Sequence, residues 1–209
     1  MPKNKDNIKF SILILSIPSR LHFLTPLMQK LEKQIGDRQD VEILSIMDNK
    51  SFGISEKRNE LLKLARGSHL AWIDDDDDVA NNYIDRLTET IEKNPGVDVI
   101  SFNQICYLEG IEARVFAQMG NPHEEVVRDP CNPTRYKDTL RPPYHWCVWE
   151  TSLAKSEDFR SDVLIPGSDV GEDIDWLKRL YPKVKNSIYL ENDILHIYRY
   201  SKEVSESLL

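Results

Sequence analysis

With 209 residues the chain can bury one sizeable core, and its 40% hydrophobic and 30% charged residues match a soluble globular protein. A formal charge of −8 and a pI near 5.2 exclude a nucleic-acid partner held across a broad basic face. No stretch approaches the roughly 20 apolar residues that cross a bilayer. Cys106, Cys131 and Cys147 lack the spacing of a zinc site or redox pair, so a cytoplasmic chain with reduced thiols is expected.

"KFSILILSI" (9–17) is a short apolar run suited to a strand buried on both faces. Lysines before it imitate a secretion signal, but the run is too short and ends in "PSR" without a small-residue cleavage site. Leu21, Leu24, Leu27, Met28, Leu31 and Ile35 recur at helical spacing, with Pro26 tolerable only near a helix start or a kink. "VEILSIM" (41–47) reads as a second strand. Ser55 suits the N-cap of a helix carrying Leu61, Leu62, Leu64 and Ala65, and Gly67 suits its stop. "HLAWI" (69–73), a helix over 80–93 and "VDVISF" (97–102) follow. This β-α-β-α-β-α-β order predicts an α/β fold with a largely parallel sheet, whose ligands bind beyond the carboxyl ends of the strands.

The second half is less regular. Residues 103–119 suit a strand pair around "LEG", and 120–143, with five of the eleven prolines, read as a long loop over the site. "YHWCVW" (144–149) looks like a strand, "GEDIDWLKRLYP" like a helix with an acidic first turn, and "SIYL" and "ILHIYRY" like closing strands. There is no internal repeat or linker, so one domain over 1–209 is expected.

Chemistry concentrates where carboxylates do. "LAWIDDDDDVANNYI" (70–84) sets five aspartates after a hydrophobic strand. Adjacent charges even in water repel by about 0.7 kcal/mol per pair, so folding gains nothing from the run. A solvated acidic turn is the plain explanation. A crevice mouth for a hard divalent cation, Mg²⁺ or Mn²⁺, is the chemical one, with substrate phosphates completing the ion. Extended geometry would send Asp74, Asp76 and Asp78 one way and Asp75 and Asp77 the other. Asp48, at the end of the second strand, is either a turn former or an acceptor for a ribose or base. "SEKRN" (55–59) is either a helix N-terminus suited to phosphate, with Arg58 as a fork donor, or a place where Lys57 and Arg58 are surface charges. "GED" (171–173) either complements a helix dipole or supplies a carboxylate base. Trp146, Trp149 and Trp176 divide between core and sugar stacking, and His145 and His196 between structural histidines and ligands.

In order and spacing, "SIPSR", Asp48, "GISEKRN", "AWIDDDD" and "GEDIDW" resemble family 2 glycosyltransferases of the GT-A fold, over about residues 9 to 200. The resemblance is to a small stand-alone member of bacterial or phage type. It implies one Rossmann-like domain and a nucleoside-diphosphate sugar gripped by Ser16, Ile17, Pro18, Arg20, Asp48 and Arg58, with Asp74 and Asp75 alongside. Asp74 and Asp76 would match the D-x-D motif, with Asp76 the direct ligand of Mn²⁺ or Mg²⁺ and His196 a third ligand. Asp173 would match the general base of inverting members, with Glu172, His145 and Trp146 on the acceptor side. Five aspartates leave a second register open, with Asp75 and Asp77 in place of Asp74 and Asp76. The proline expected after the motif is Asn81 here. The acceptor hydroxyl is open among glycans, proteins, lipid-linked intermediates and modified DNA bases, and only the +2 segment 128–141 speaks for DNA. The alternatives are a nucleotidyltransferase, disfavoured because "LSIPSRLHF" has no phosphate-cradling glycine, and a non-catalytic nucleotide- or carbohydrate-binding module.

Overall fold

The computed structural model describes residues 8–161 and 171–200. Phe10–Ser16 (β1) is the first strand, and its Phe10, Ile12, Leu13 and Ile14 are fully buried. Its apolar residues run on without alternation because both faces are covered. Val41–Met47 (β2) and His69–Asp74 (β3) lie parallel on either side, with Phe10 opposite Val41 and His69. A 3₁₀ turn, Pro18–Arg20, leads into Leu21–Ile35 (α1), which buries Leu24, Leu27 and Leu31 along one stripe. Pro26 lies inside α1, in its second turn on the exposed side, where the His22 carbonyl left without a helical donor can reach water.

Ile54–Leu64 (α2) connects β2 to β3, and two expectations fail around it. Its N-cap is Gly53, whose N–H donates to the Glu56 carboxylate (2.8 Å). Ser55 lies inside the helix and donates instead to the Arg160 carbonyl (3.1 Å). Nor does Gly67 stop the helix, which has already ended. A Cβ there would come within 2.8 Å of the His69 carbonyl and the Ser11 N–H, so Gly67 is a close-packing residue.

After Asp78–Val79 (β4), Tyr83–Lys93 (α3) leads into Val99–Leu108 (β5) and its hairpin partner Ile111–Ala117 (β6). Glu109 and Gly110 both have positive φ, as a two-residue hairpin turn requires. Residues 120–143 are more ordered than a bare loop. Arg128–Asp129 (β7) and Asn132–Tyr136 (β8) form a separate ribbon, and Thr139–Arg141 (β9) pairs with β6. Of 144–149 only the end is strand: Val148–Glu150 (β10) inserts antiparallel between β3 and β5. Thr151–Ala154 (α4) and Glu172–Leu180 (α5) follow. The two closing strands are one, Ser187–Tyr200 (β11), which shifts register between Leu190 and His196.

The sheet order is β2-β1-β3-β10-β5-β11-β4. It is mixed, with parallel pairing around β1 and between β5 and β11. Trp72, Trp149 and Trp176 are fully buried at its heart. Trp149 meets Trp176 edge-on (centroids 5.7 Å apart) and Phe159 stacks on Trp176 (4.7 Å), which fixes α5 against the sheet. Among the described residues no helix is long and apolar enough to cross a membrane.

Candidate active site

Three parallel strands end together, and their ends carry Ser16 with the Pro18–Arg20 turn, Asp48, and Asp74. The antiparallel register of β10, with Trp149 opposite Leu70, continues past the strand and brings His145 beside Asp74. The Trp72 N–H on the His145 carbonyl (3.3 Å) fixes it there. β4 pairs with β11 so that His196 faces Val79. α5, anchored by Trp176, presents Glu172 and Asp173 from its first turn.

The pleat stops at Asp74, where the Asp77 N–H closes a turn onto its carbonyl (3.1 Å). Strict alternation of the five carboxylates is therefore lost, and each finds its own partners. Asp75 Oδ2 accepts from Ser16 Oγ (2.6 Å) and Oδ1 from Arg20 Nε (2.7 Å). Asp76 takes Arg20 Nη2 (2.7 Å), Asp77 faces His196 Nε2 (3.1 Å), and Asp78 faces Lys30 (2.7 Å) and Arg199 (3.7 Å). Asp74 lies between Arg58 Nη2 and His145 Nε2, each at 3.8 Å. The chain's own cations thus offset the repulsion that the sequence leaves unanswered. Ile17 is half-buried and Pro18 exposed in the turn they form.

Asp48 is tied into its loop. Its Oδ1 accepts from Lys57 Nζ (2.8 Å) and its Oδ2 from Ser51 Oγ (3.0 Å) and the Phe52 N–H (2.8 Å). The Lys57 contact, then the Phe52 N–H, hold its pKa well below the usual carboxylate range. Lys57 and Arg58 are both buried, so neither is a surface charge. The Arg58 guanidinium lies over Trp72 (5.0 Å) and Phe159 (5.3 Å), and its Nε donates to Glu172 (3.0 Å). Glu172 is itself buried and serves as the counter-ion of Arg58.

His145 joins the two acidic clusters. Its Nδ1 is 3.0 Å from Asp173 Oδ2, at ion-pair distance but out of line for a good hydrogen bond. Burial alone would lower its pKa; Asp173 and Asp74 outweigh that and raise it to about 9. Asp173 shows the converse: burial works against its charge, and the His145 contact with the Arg58 field lowers its pKa. Its Oδ1 accepts from the Ile174 N–H (2.8 Å), and the side chain is 20% exposed, open to a substrate.

His196 is differently employed. Cys106 Sγ donates to Gln104 Oε1 (3.0 Å), which leaves the Gln104 amide N–H to donate to His196 Nδ1 (2.8 Å). That network assigns the ring proton to Nε2, facing Asp77. Nδ1 is engaged by Gln104, while Nε2 faces Asp77 at 3.1 Å but out of line for a hydrogen bond. Trp146, 5% exposed, stacks on His196 (5.1 Å, 6°) in the core rather than on the acceptor side. Asp77 is pushed up to about 6 by burial, His196 opposing and Asp74 and Asp76 adding to it.

Among the described residues no three His, Cys, Asp or Glu side chains are grouped as a finished metal site. The donor chemistry nevertheless fits a hard cation. Burial first, and then Asp74 and Asp75 against the opposition of Arg20, raise the pKa of Asp76. Of seven buried side-chain polar atoms without a hydrogen bond among the described residues, four belong to this region: Arg58 Nη1, Asp77 Oδ1, His145 Nδ1 and His196 Nε2. Beside the run, a cavity of about 300 Å³ opens between Phe23 of α1, Asp76 and Arg199. Sequence reasoning missed Lys57 as the cation that holds Asp48, because nothing local in "SEKRN" tells it from a surface charge.

Residues 25–157 match the family model described as Glycosyl transferase family 2. The chain is 25% identical over 127 residues to "Uncharacterized glycosyltransferase EpsJ" of Bacillus subtilis (strain 168), covering 61% of this chain and 36% of that protein. Among solved structures, S. aureus TarS 1-349 in complex with UDP superposes with a TM-score of 0.68 at 17% identity, over 94% of this chain and 62% of that one. TarS 1-349 in complex with UDP-GlcNAc gives a TM-score of 0.61 at 15% identity, over 97% and 62%. The chain therefore spans about a third of the first relative and under two thirds of the second. At these identities the structural likeness establishes the fold, a mixed α/β architecture of GT-A type with a mostly parallel central sheet.

Proposed function

The chain belongs to glycosyl transferase family 2, and we propose that it moves a sugar from a nucleoside-diphosphate sugar to an acceptor hydroxyl, with inversion at the anomeric carbon. The observation that carries this reading is that Asp74 and Asp173, far apart in sequence, stand on either side of one imidazole. That UDP and UDP-GlcNAc are bound by the TarS structures supports a donor of this class.

In this reading the Ser16–Arg20 turn, welded to Asp75 and Asp76, forms the wall along which the donor diphosphate lies. Asp48 accepts from the ribose or base, using lone pairs left beside Lys57 and Ser51. The open Nη1 of Arg58 is a donor for a phosphate oxygen. Asp74 and Asp76 would hold Mn²⁺ or Mg²⁺, which when bound neutralises the departing diphosphate. Asp173 takes the proton from the acceptor oxygen as it attacks the face opposite the leaving group. A low pKa keeps Asp173 ionised, and His145 holds its carboxylate in place beside the donor until the acceptor arrives. Buried Cys106 and Cys147 with exposed Cys131, all free, suit a reducing cytoplasmic setting.

The test is nucleoside-diphosphate release across a panel of nucleotide sugars, with Mn²⁺ and with chelator. Turnover of at least one donor, lost on chelation, is expected. Absence of binding and turnover for every donor would overturn the reading.

A further inference from the structure

Arg58 and Asp173 reach the site on different helices. Arg58 comes from α2 and Asp173 from α5, and the two helices meet directly where Arg58 Nε donates to Glu172 (3.0 Å). A second connection runs through residues 157–160, which form neither helix nor strand. Buried backbone without a ladder needs other partners for its N–H and C=O groups. Phe159 finds both in one side chain: the Asn59 amide of α2 donates to its carbonyl (2.9 Å) and accepts from its N–H (2.8 Å). A planar carboxamide can do this because its donor and acceptor lie side by side. Ser55, one turn earlier in α2, adds a single bond to the Arg160 carbonyl (3.1 Å).

The other side of the same segment belongs to α5. The Trp176 indole N–H donates to the Glu157 carbonyl (3.0 Å), and Arg179 reaches the Asp158 carbonyl (2.6 Å) and the Glu157 carboxylate. Between these anchors the buried Phe159 ring stacks on Trp176 (4.7 Å) and lies against the Arg58 guanidinium (5.3 Å). One ring thus touches both the arginine of the donor side and the helix that carries the base. Trp176 lies three residues beyond Asp173 on α5, so a shift of the ring moves the turn that presents the carboxylate.

Resting on the transferase reading above, we propose that Asn59 is a positioning residue: by gripping the Phe159 backbone from α2, it sets where Asp173 stands relative to the donor that Arg58 binds. Its amide oxygen and one amide N–H are spent on Phe159, so it acts through Arg58 and α5 rather than on the substrate. The requirement is geometric. A carboxylate base must lie within hydrogen-bond reach of the acceptor oxygen, and a misplacement of about 1 Å costs on the order of 10²-fold in rate.

Asn59→Ala tests this with a donor that the wild type turns over. Alanine suits the interior of α2 and removes both bonds. At equal concentrations of folded enzyme, kcat is expected to fall by about tenfold to 10²-fold and the donor KM to rise by about threefold or more, because Asp173 and Arg58 both lose their setting. Phe159→Leu, which keeps an apolar side chain without the stacking ring, should move both parameters the same way, and it answers alone should Asn59→Ala not fold. A purely structural bond lowers the urea midpoint and leaves kcat and KM of the folded variants within about twofold; that result overturns the proposal and leaves the transferase reading intact. If the wild type turns over no donor, the transferase reading fails, and the link between the helices is decided by the NMR signal of the Trp176 indole N–H, assigned by its loss in Trp176→Phe. Movement of that signal in Asn59→Ala supports the link from α2 to α5; an unmoved signal overturns it.

Discussion

Replacing His145 by glutamine removes the cation between Asp173 and Asp74 and keeps a polar side chain of similar reach. The pKa of His145 rises from an ordinary 6.5 to about 9 in the folded chain, between two and three powers of ten in proton affinity. At about 1.4 kcal/mol for each power of ten, the protonated ring contributes on the order of 3 kcal/mol to stability. The imidazole is 9% exposed, so solvent screens little of this. The sign follows from the direction of the change. A raised folded pKa gives a contribution that is complete below about pH 6.5 and is lost as the pH climbs through about 9. Asp74 and Asp173, whose pKa values are lowered, contribute above the ordinary carboxylate range near pH 4 and lose that contribution as the pH falls. The contribution of this triad is therefore greatest between about pH 4 and 6.5. Urea unfolding of the wild type and His145→Gln, without divalent ions, should show a gap of about 3 kcal/mol at pH 6 that closes toward pH 10. A gap of equal size at both pH values would refute the assignment of charge to His145.

Arg20→Ala frees Asp75 and Asp76 together, and breaking a largely buried pair costs about 3–5 kcal/mol, read as a lower urea midpoint. Arg20→Lys cannot serve two carboxylates with one fork and should recover only part of that. Gly67→Ala drives a methyl into the His69 carbonyl and the Ser11 N–H, backbone atoms that cannot swing aside; a loss of about 1–3 kcal/mol is expected in the same assay. A neutral Gly67→Ala would show that β1 and β3 can part without penalty.

The first hundred residues declared their fold because local patterns sufficed. Continuous apolar runs mark doubly covered strands, and Leu24, Leu27 and Leu31 mark the buried stripe of α1. That Asp48 and the aspartate run lie at the same end of the sheet followed from the parallel order of β2, β1 and β3. The side-chain directions within the run did not follow, because a turn rather than a pleat aims Asp75 to Asp77, and its partners Arg20 and His196 lie 55 and more residues away. The role of His145 was hidden for a similar reason. Only the insertion of three-residue β10 between β3 and β5 sets it beside Asp74, and nothing local in "YHWCVW" announces an antiparallel strand there. Trp146 and Trp149 carry the same residue type in one short segment. Both prove to be core, Trp146 backing the ring of His196 and Trp149 packing on Trp176.

The most direct measurement compares Asp173→Asn with the wild type for transfer and, separately, for nucleotide-sugar affinity. Losing a positioned base should lower transfer by about 10²- to 10⁴-fold while the donor Kd stays within about threefold. Transfer by Asp173→Asn at a rate close to that of the wild type would contradict the account, because the carboxylate that His145 holds beside the donor cleft would then have no part in removing the acceptor proton.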